Sequence, residues 1–349
     1  MSPNSWICLH PPHATANAAK LAMSLDHRGL AYGDGFFTTM GVIDGQILWL
    51  DHHQQRLVSH ATALQLQLDS DALLTILKMH AKQLQQGMLK LIVTRAAQEV
   101  RGYGYTPRKF GSACEVWLKS SSMSIATVQS LSLPDGQLIP LQPTATAICL
   151  SSQIACLPPP LAGLKSLNRL DNVLASGELH AIKAKALEDN IKPSIDEGLL
   201  RDMSGRWVEG TMSNVFYQLS DSRLLELPSS DINATVNANK GNTDKDNTDK
   251  DNTNKDNTNK DNTNKDKANY LTQGQWYTPS MAQSGVAGVM RQVIIYGLST
   301  SKNPVIIRSL QDEDLPHLSQ LFFCNALRGV MPMTSLRSLS GEVVSFEAT

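Results

Sequence analysis

The sequence has almost no net charge, no long apolar run and few cysteines, and each shortage excludes a class of protein. Its 31 basic and 32 acidic residues give a formal net charge of −1, which offers no electrostatic basis for binding nucleic acid or an anionic membrane. No apolar run approaches the length that crosses a bilayer. We therefore expect no nucleic-acid partner and no membrane attachment.

The five cysteines are scattered, odd in number and never spaced as C-x-x-C. Such a pattern is typical of reduced thiols in a cytoplasmic protein. The stretch Met1 to Leu25 lacks the charged start and apolar run of a signal peptide, so we expect a cytoplasmic location. With 349 residues, of which 41% are hydrophobic, the chain is long enough for one large domain or two of ordinary size.

Residues 231–269 differ in composition from the rest. Asn242 to Asp266 consists of five tandem copies of Asn-Thr-(Asp/Asn)-Lys-Asp without an apolar residue. Such a tract cannot bury enough surface to offset the entropy lost on ordering. We predict a disordered insertion at a loop tip, where added length costs little.

The first 119 residues predict a smaller α/β domain. Two predicted strands, Phe36–Ile43 and Gln46–Leu50, flank Asp44-Gly45, the strongest short hairpin signal. Asp51 is a good N-cap for a helix whose apolar residues recur as far as Leu68. The same patterns predict a helix at 71–86 and strands at 88–95 and 114–118.

A polar, weakly patterned stretch at 120–142 is predicted to connect this domain to a larger, strand-rich domain at 143–349. The predicted elements of the second domain are strands at 144–150, 305–308 and 320–324, a hairpin at 196–209, helices at about 170–188, 284–298 and 311–315, and a final loop at 325–332.

Lys165 lies in a short connection between three prolines at 158–160 and the start of a helix. Its neighbours are apolar, and low-dielectric surroundings disfavour the ammonium form, so a neutral amine becomes available near pH 7. Schiff-base chemistry requires a neutral amine. Most lysines with apolar neighbours simply extend to the surface, so this interpretation depends on the other motifs.

Two further segments suggest binding chemistry. Glu209 ends a largely apolar strand, where a solvated carboxylate is the ordinary alternative. Small residues at 284–288 open a helix whose free amides favour an anion, which makes this a candidate phosphate site. It is not a Walker loop, because no G-K-[ST] follows.

Arg56 shares a predicted helix face with His52 and His60. The pair His52-His53 has no cysteine or carboxylate at ligand spacing, so we expect no metal site. Arg101, in a loop of glycines and tyrosines, is suited to hold a substrate carboxylate, although an ordinary surface arginine explains it equally well.

Six motifs, in order along nearly the whole chain, resemble those of the class IV, or branched-chain-type, pyridoxal-phosphate enzymes. The likeness omits the repeat tract and parts of the predicted connection. The motifs are Tyr32-Gly33-Asp34-Gly35-x-Phe37-Thr38-Thr39, His53-x-x-Arg56-Leu57, Ala162-Gly163-Leu164-Lys165-x-Leu167-Asn168-Arg169-Leu170, Glu209-Gly210 with Asn214-x-Phe216, Gly285-Val286-x-Gly288-Val289-Met290-Arg291, and Cys324-Asn325-Ala326-Leu327.

The resemblance implies an α/β (α+β) fold of two domains, fold type IV, with pyridoxal 5′-phosphate in the interdomain cleft and usually a homodimer. It implies that Lys165 holds the cofactor covalently, that Glu209 pairs with the pyridine nitrogen, and that Arg56 binds the phosphate. The other residues that it indicates are Asn168, Arg169, Asn214, Gly288, Val289 and Met290 for the cofactor, and Thr38, Arg101 and Asn325 for the substrate.

Within this family the Phe-Thr-Thr run and the Cys-Asn-Ala-Leu loop favour the aminodeoxychorismate lyases. These convert the small molecule 4-amino-4-deoxychorismate to 4-aminobenzoate and pyruvate for folate biosynthesis. An aminotransferase for D-amino or branched-chain amino acids would use the same lysine, glutamate and arginine, so the cofactor site does not separate the two. A cofactor-free binding module with a spacer insertion is a third alternative.

Overall fold

The computed structural model of the chain describes residues 6–10, 24–106, 109, 111–125, 129–188, 195–226 and 267–346. Within these ranges the strands form two sheets, of six and eleven strands. None of the helices in these ranges has the length and apolar content that a membrane crossing needs. The mixed architecture confirms the α/β (α+β) prediction.

The first sheet comes from the N-terminal third of the chain. Its strands are β1 (Trp6–His10), β2 (Gly35–Ile43), β3 (Gln46–Ile47), β4 (Leu66–Gln67), β5 (Gly87–Arg95) and β6 (Ser112–Ser122), accompanied by helices α1 (Arg28–Ala31), α2 (Leu50–Ala63) and α3 (Ser70–Leu84). The strand order is β1-β6-β5-β2-β3, with antiparallel neighbours, and β4 pairs in parallel with β6.

Helices α2 and α3 contribute to one hydrophobic core with this sheet, because each has a buried stripe at helical spacing. On α3 the stripe is apolar throughout, and Asp69 caps the helix by accepting the N–H of Ala72 at 2.9 Å. On α2 the buried stripe contains His53, Arg56 and His60 beside two apolar residues. A helix that buries such side chains is positioned to serve a site.

The second sheet comes from the rest of the chain. Its strands are β7 (Gln129–Ser132), β8 (Leu138–Leu141), β9 (Ala145–Ile154), β10 (Ile195–Asp202), β11 (Trp207–Gly210), β12 (Asn214–Leu219), β13 (Tyr277–Thr278), β14 (Ile306–Ile307), β15 (Leu318–Asn325), β16 (Gly329–Arg337) and β17 (Val343–Ser345). The helices are α4 (Leu170–Glu188), α5 (Asp221–Glu226) and α6 (Val289–Gly297), with 3₁₀ turns at Lys267–Thr272 and Asp312–His317.

Strands β9 and β10 are parallel neighbours, so the chain must cross over between them. Helix α4 makes this crossover and buries Ala175 and Leu179 against Leu150 and Ile154 of β9. The connection from β9 to α4 contains Lys165, which confirms that the lysine precedes a helix.

Helix α2 differs from its prediction at both ends. It begins at Leu50, after Trp49 with a backbone φ of 57°, and Asp51 lies in the first turn instead of at the N-cap. It ends at Ala63, because Gln65 adopts a φ of 54° and Leu66 enters β4. The predicted strand 46–50 is correspondingly shortened, whereas the turn at Asp44-Gly45 forms as predicted, with φ of 50° and 71°.

The predicted connection at 120–142 contains regular structure. Strand β6 continues to Ser122, and β7 pairs with β8. Leu141 of β8 in turn pairs with Val330 of β16. The second sheet thus includes part of this stretch, while the domain bounds 1–119 and 143–349 stay a prediction.

One prediction near the C-terminus is wrong. The predicted loop at 325–332 is largely strand, since β16 begins at Gly329 and Pro332 pairs with Phe322 of β15. A proline argues against a central strand because it lacks an N–H donor. The last residues of the predicted insertion belong to the 3₁₀ turn Lys267–Thr272, in which Tyr270 and Leu271 are buried. Residues 231–266, including the repeat, lie outside the described residues, so the disordered insertion stays a prediction.

Candidate active site

The segment that carries Lys165 lies between the two sheets and is fixed by main-chain bonds to both. On the side of the first sheet, the Phe37 N–H donates to the Lys165 carbonyl at 3.0 Å, and the Leu167 N–H donates to the Gly35 carbonyl at 3.0 Å. On the other side, Gly163 forms a parallel bridge with the chain at Val286. The lysine therefore lies in the cleft between the two parts of the molecule.

The surroundings of Lys165 disfavour its ammonium form. Burial and the cations of Arg56, Arg169 and Lys90 lower its pKa from 10.5 to about 8, although the carboxylate of Glu209 acts in the opposite direction. Its Nζ lies 4.6 Å from the centroid of the Phe37 ring. A substantial neutral fraction is available near pH 8, so this amine can act as a nucleophile or a base.

Glu209 is 3% exposed, so the ordinary solvated strand-end arrangement does not apply. Its Oε2 accepts the Val286 N–H at 2.8 Å, and Asn172 Nδ2 lies 3.5 Å from Oε1. Burial raises the pKa of Glu209, while Arg169 and Lys165 oppose this shift. The carboxylate thus lies in a position that excludes solvent, where a nearby cation would keep it ionised.

The segment 284–287 connects Glu209 with other predicted site residues. The Val286 carbonyl accepts from Asn214 Nδ2 at 2.8 Å. The Ala287 N–H donates to the Gly163 carbonyl at 2.9 Å, and the Ala287 carbonyl accepts from Arg56 Nη2 at 2.7 Å. Main-chain atoms of two successive residues therefore tie together the arginine, the lysine segment and the asparagine.

Asp202 anchors the start of this segment from the β10–β11 hairpin. Its Oδ2 accepts from Ser284 Oγ at 2.7 Å and from Arg206 Nη2 at 2.6 Å. Burial opposes ionisation, but hydrogen bonds from Ser204, Ser284 and Arg206 dominate and lower the pKa of Asp202 to about 2. The hairpin and the 284–287 segment are consequently held as one unit.

Arg56 lies on the buried face of α2 and is 7% exposed. Its Nη1 lies 3.4 Å from Thr38 Oγ1, which also contacts His53 Nδ1 at 2.9 Å. Burial lowers the pKa of Arg56 to about 10. Among the described contacts the guanidinium has no carboxylate partner, so this buried cation is available for an anion.

The N-terminus of α6 faces the same region. Gly288 is its N-cap and offers no side-chain cap, so the amides of the first turn, at Val289 and Met290, have no intrahelical acceptor. A Cβ at Gly288 would overlap Asn214 Oδ1, so glycine is needed there. Free amides at a helix N-terminus favour a phosphate, and the Arg56–Ala287 bond brings a cation beside them.

These residues fit pyridoxal phosphate. Two buried polar atoms in the region, His53 Nε2 and Arg169 Nε, have no partner among the described atoms, as expected of a site that receives a polar group. A cation and free amides suit the phosphate, an amine suits the aldehyde, and a buried acid suits the pyridine nitrogen. The described residues contain no cluster of three or more potential metal ligands.

The remaining predicted residues are less closely associated with this region. Asn168 is exposed, and its amide lies against Gly33. Arg169 donates to the Leu164 carbonyl and to Asn172 Oδ1, so it closes the loop around Lys165.

The three predicted substrate residues have different surroundings. Thr38 is fully buried and bonded to Arg56, so it supports the arginine. Asn325 Oδ1 accepts the N–H groups of Leu327 and Arg328 at 3.1 and 2.8 Å, which stabilises a turn. Arg101 is exposed in a loop whose carbonyls accept from Arg28.

The predicted helix face of Arg56 is wrong for one of its two histidines. His53 lies on the buried face of α2, whereas His52 is half-buried with its ring 5.6 Å from that of Tyr296. The spacing of His53, Arg56 and His60 at i, i+3 and i+7 is the signal that would have identified the buried face. The sequence gives no signal for Asn172, because a polar residue in a first helical turn is common.

Comparison with known proteins identifies the family of the chain. Residues 35–336 match the amino-transferase class IV family. The chain is 21% identical over 321 residues to an aminodeoxychorismate lyase of Vibrio harveyi, covering 91% of this chain and 89% of that protein.

Solved structures show the same relationship. Against 4-amino-4-deoxychorismate lyase from Pseudomonas aeruginosa the identity is 26%, the TM-score 0.62 and the coverage 94% of this chain and 92% of that one. The PLP-bound form of a hypothetical aminotransferase from Mycobacterium tuberculosis, at 15% identity, a TM-score of 0.56 and coverage of 91% and 87%, shows the shared fold. The chain therefore belongs to the amino-transferase class IV family, whose cofactor is pyridoxal 5′-phosphate.

Proposed function

We propose that this chain is a lyase that converts 4-amino-4-deoxychorismate to 4-aminobenzoate and pyruvate. The observation that supports it above all is the position of Lys165, with its pKa lowered to about 8, in the same cleft as the buried carboxylate of Glu209, which acts on that pKa. The similarity to aminodeoxychorismate lyases along nearly the whole chain favours this reaction over transamination.

In this proposal each residue has one task in holding the cofactor. Lys165 binds the aldehyde, and Arg56 with the amides of Val289 and Met290 binds the phosphate. Glu209 keeps the pyridine nitrogen protonated. Asn214 braces the 284–287 segment, through its bond to the Val286 carbonyl.

When bound, pyridoxal phosphate supplies a ring that accepts the electron pair released beside the substrate nitrogen. With the cofactor held by the substrate amine, the Nζ of Lys165 would be free to act as a base towards the carbon that bears this amine. Lys165 Nζ then removes the proton from that carbon. Breakage of the carbon–oxygen bond releases the side chain as enolpyruvate, which becomes pyruvate by taking up one proton, equal in number to the one that Lys165 removed, and the remaining ring becomes aromatic.

The substrate carries two carboxylates, for which Arg101 is the proposed ligand, while Thr38 and Asn325 contribute through the residues that they support. We also propose a role in folate biosynthesis, a cytoplasmic location and a homodimer. Exposed apolar side chains at the start of α4 support an oligomer, since Leu170, Val173 and Leu174 are 78%, 62% and 71% exposed.

The test is to incubate the pyridoxal-phosphate-loaded protein with 4-amino-4-deoxychorismate and to quantify 4-aminobenzoate and pyruvate. We expect equal amounts of both products, and neither product from Lys165→Ala, which should also lose the visible absorbance of the lysine-bound cofactor. Consumption of a 2-oxo acid with an amino donor, without 4-aminobenzoate, would instead identify an aminotransferase. Activity retained by Lys165→Ala would refute the assignment of the lysine.

A further inference from the structure

The main chain of Lys165 makes a hydrogen bond to a side chain that the proposed reaction does not use. The Lys165 N–H donates to His60 Nε2 at 2.9 Å, and the Lys165 carbonyl accepts from the Phe37 N–H at 3.0 Å. Both polar groups of the lysine backbone are therefore bound by residues from the first part of the chain. His60 is 4% exposed, and its ring meets that of Phe36 edge-on at 5.3 Å.

The surroundings of His60 determine which ring nitrogen carries the proton. Ser59 Oγ donates to the Arg56 carbonyl at 3.2 Å, so its lone pairs face His60 Nδ1, also at 3.2 Å. The proton is accordingly on Nδ1, and Nε2 presents a lone pair to the Lys165 N–H. Burial and the cations of Arg56, Lys165 and Arg169 lower the pKa of His60 to about 3, so the ring remains neutral.

The lysine segment is not closely packed where His60 contacts it. An open cavity of about 440 Å³, lined by His60, Gly163 and Leu164 among others, borders the segment there. Packing is therefore incomplete on that side, and a directed bond has more effect on the position of the loop than it would in a filled core.

We propose that His60 is a positioning residue for Lys165, whose neutral ring holds the lysine main chain so that Nζ meets its reaction partners in one orientation. This role rests on the proposed function of Lys165. A reacting amine gains most from a fixed approach, and misplacement by about 1 Å can reduce a rate about a hundredfold. His60 acts through the backbone and touches neither substrate nor cofactor in this proposal.

A matched pair of variants separates the hydrogen bond from the bulk of the ring. His60→Gln places an amide oxygen near the position of Nε2, whereas His60→Asn is too short to reach the Lys165 N–H. In cofactor-free protein we expect His60→Asn to raise the hydrogen-exchange rate of the Lys165 amide about tenfold and His60→Gln to stay near wild type. His80→Gln, on the half-buried outer side of α3, is the control and should change nothing.

The second readout is the titration of cofactor-free protein with pyridoxal phosphate, followed by its visible absorbance. His60→Asn should bind about tenfold more weakly than His60→Gln, at an unchanged melting temperature. Equal exchange in the two variants, or a rise in exchange spread evenly over the whole protein, would overturn the positioning role. Retention by Lys165→Ala of the visible absorbance of the lysine-bound cofactor would contradict the proposed function instead, whatever the amide exchange of the His60 variants shows.

Discussion

Two buried groups of charges in this protein differ in how completely their members are paired. Around Asp314, which is fully buried, Arg308 donates through Nη1 and Nη2 at 2.8 and 3.0 Å, and Arg223 and the Gln311 N–H each donate at 3.0 Å. Around Lys165, by contrast, Arg56 has no described carboxylate partner, and Arg169 Nε has no partner at all among the described atoms.

The difference also appears in the ionisation of the two acids. Burial alone would raise the pKa of Asp314, but the hydrogen bonds from Arg308 and Gln311 hold it below 3.8. Burial dominates for Glu209 and raises its pKa. We call a cluster saturated when every buried charge in it has a partner, and unsaturated when some charges lack one. A saturated cluster stabilises the fold, whereas an unsaturated one costs stability and is retained for a ligand. The two clusters should therefore respond in opposite ways to substitution.

The largest expected effect is that of Glu209→Gln on the reaction. Loss of the buried charge should reduce kcat at least about a hundredfold, by removing the electrostatic support of the pyridine nitrogen. The melting temperature of the cofactor-free protein should stay the same or rise, because a poorly paired carboxylate is no longer buried. Steady-state kinetics measure kcat, and thermal unfolding measures the melting temperature. A marked loss of stability would show that Glu209 stabilises the fold, as Asp314 does.

Asp314→Asn should give the opposite result. Two arginines would lose their charged partner, so the free energy of unfolding should fall by about 3 kcal/mol, as measured by urea denaturation. The dissociation constant of pyridoxal phosphate should not change, since the cluster lies at the junction of β14 and the Asp312–His317 turn. Weaker cofactor binding at full stability would show that the two clusters are not independent.

Arg56→Gln should weaken the binding of pyridoxal phosphate about 10- to 100-fold, by removing charged hydrogen bonds to the phosphate. Arg308→Gln is the matched control, in which stability falls and cofactor affinity is kept. Titration of both variants with pyridoxal phosphate, followed by absorbance, measures the dissociation constant of the cofactor. An unchanged dissociation constant in Arg56→Gln would mean that the helix amides alone bind the phosphate.

The sequence was sufficient for the parts of the fold that local patterns determine. The hairpin at Asp44-Gly45, the helix after Lys165 and the buried strand β5 follow from turn chemistry and periodicity. It was insufficient where tertiary pairing overrides local preference, as for β16, whose Pro332 lies in the middle of a pairing with β15, and for β7 and β8 in the predicted connection.

The site shows the same division. Motifs in the family's order indicate Lys165, Glu209 and Arg56 as candidate site residues, but they do not predict the hydrogen bonds that connect these residues through the 284–287 segment. No local pattern relates Asp202 to Ser284, 82 positions apart, or His60 to Lys165, 105 positions apart. Such partners depend on how β9, α4 and the 284–287 segment meet in space.

The smallest effects concern the pH at which Lys165 reacts. Because its pKa is lowered to about 8, the rate of cofactor capture by cofactor-free protein should fall about tenfold per pH unit below that value. Lys90 lowers the pKa of Lys165 and Glu209 raises it, so Lys90→Met should move the midpoint up and Glu209→Gln should move it down. Stopped-flow absorbance between pH 6 and 10, in buffers of constant ionic strength, measures the rate of cofactor capture by the wild type and both variants. A midpoint near the ordinary lysine value of 10.5, or shifts of the same sign in both variants, would show that the unsaturated cluster does not control the amine.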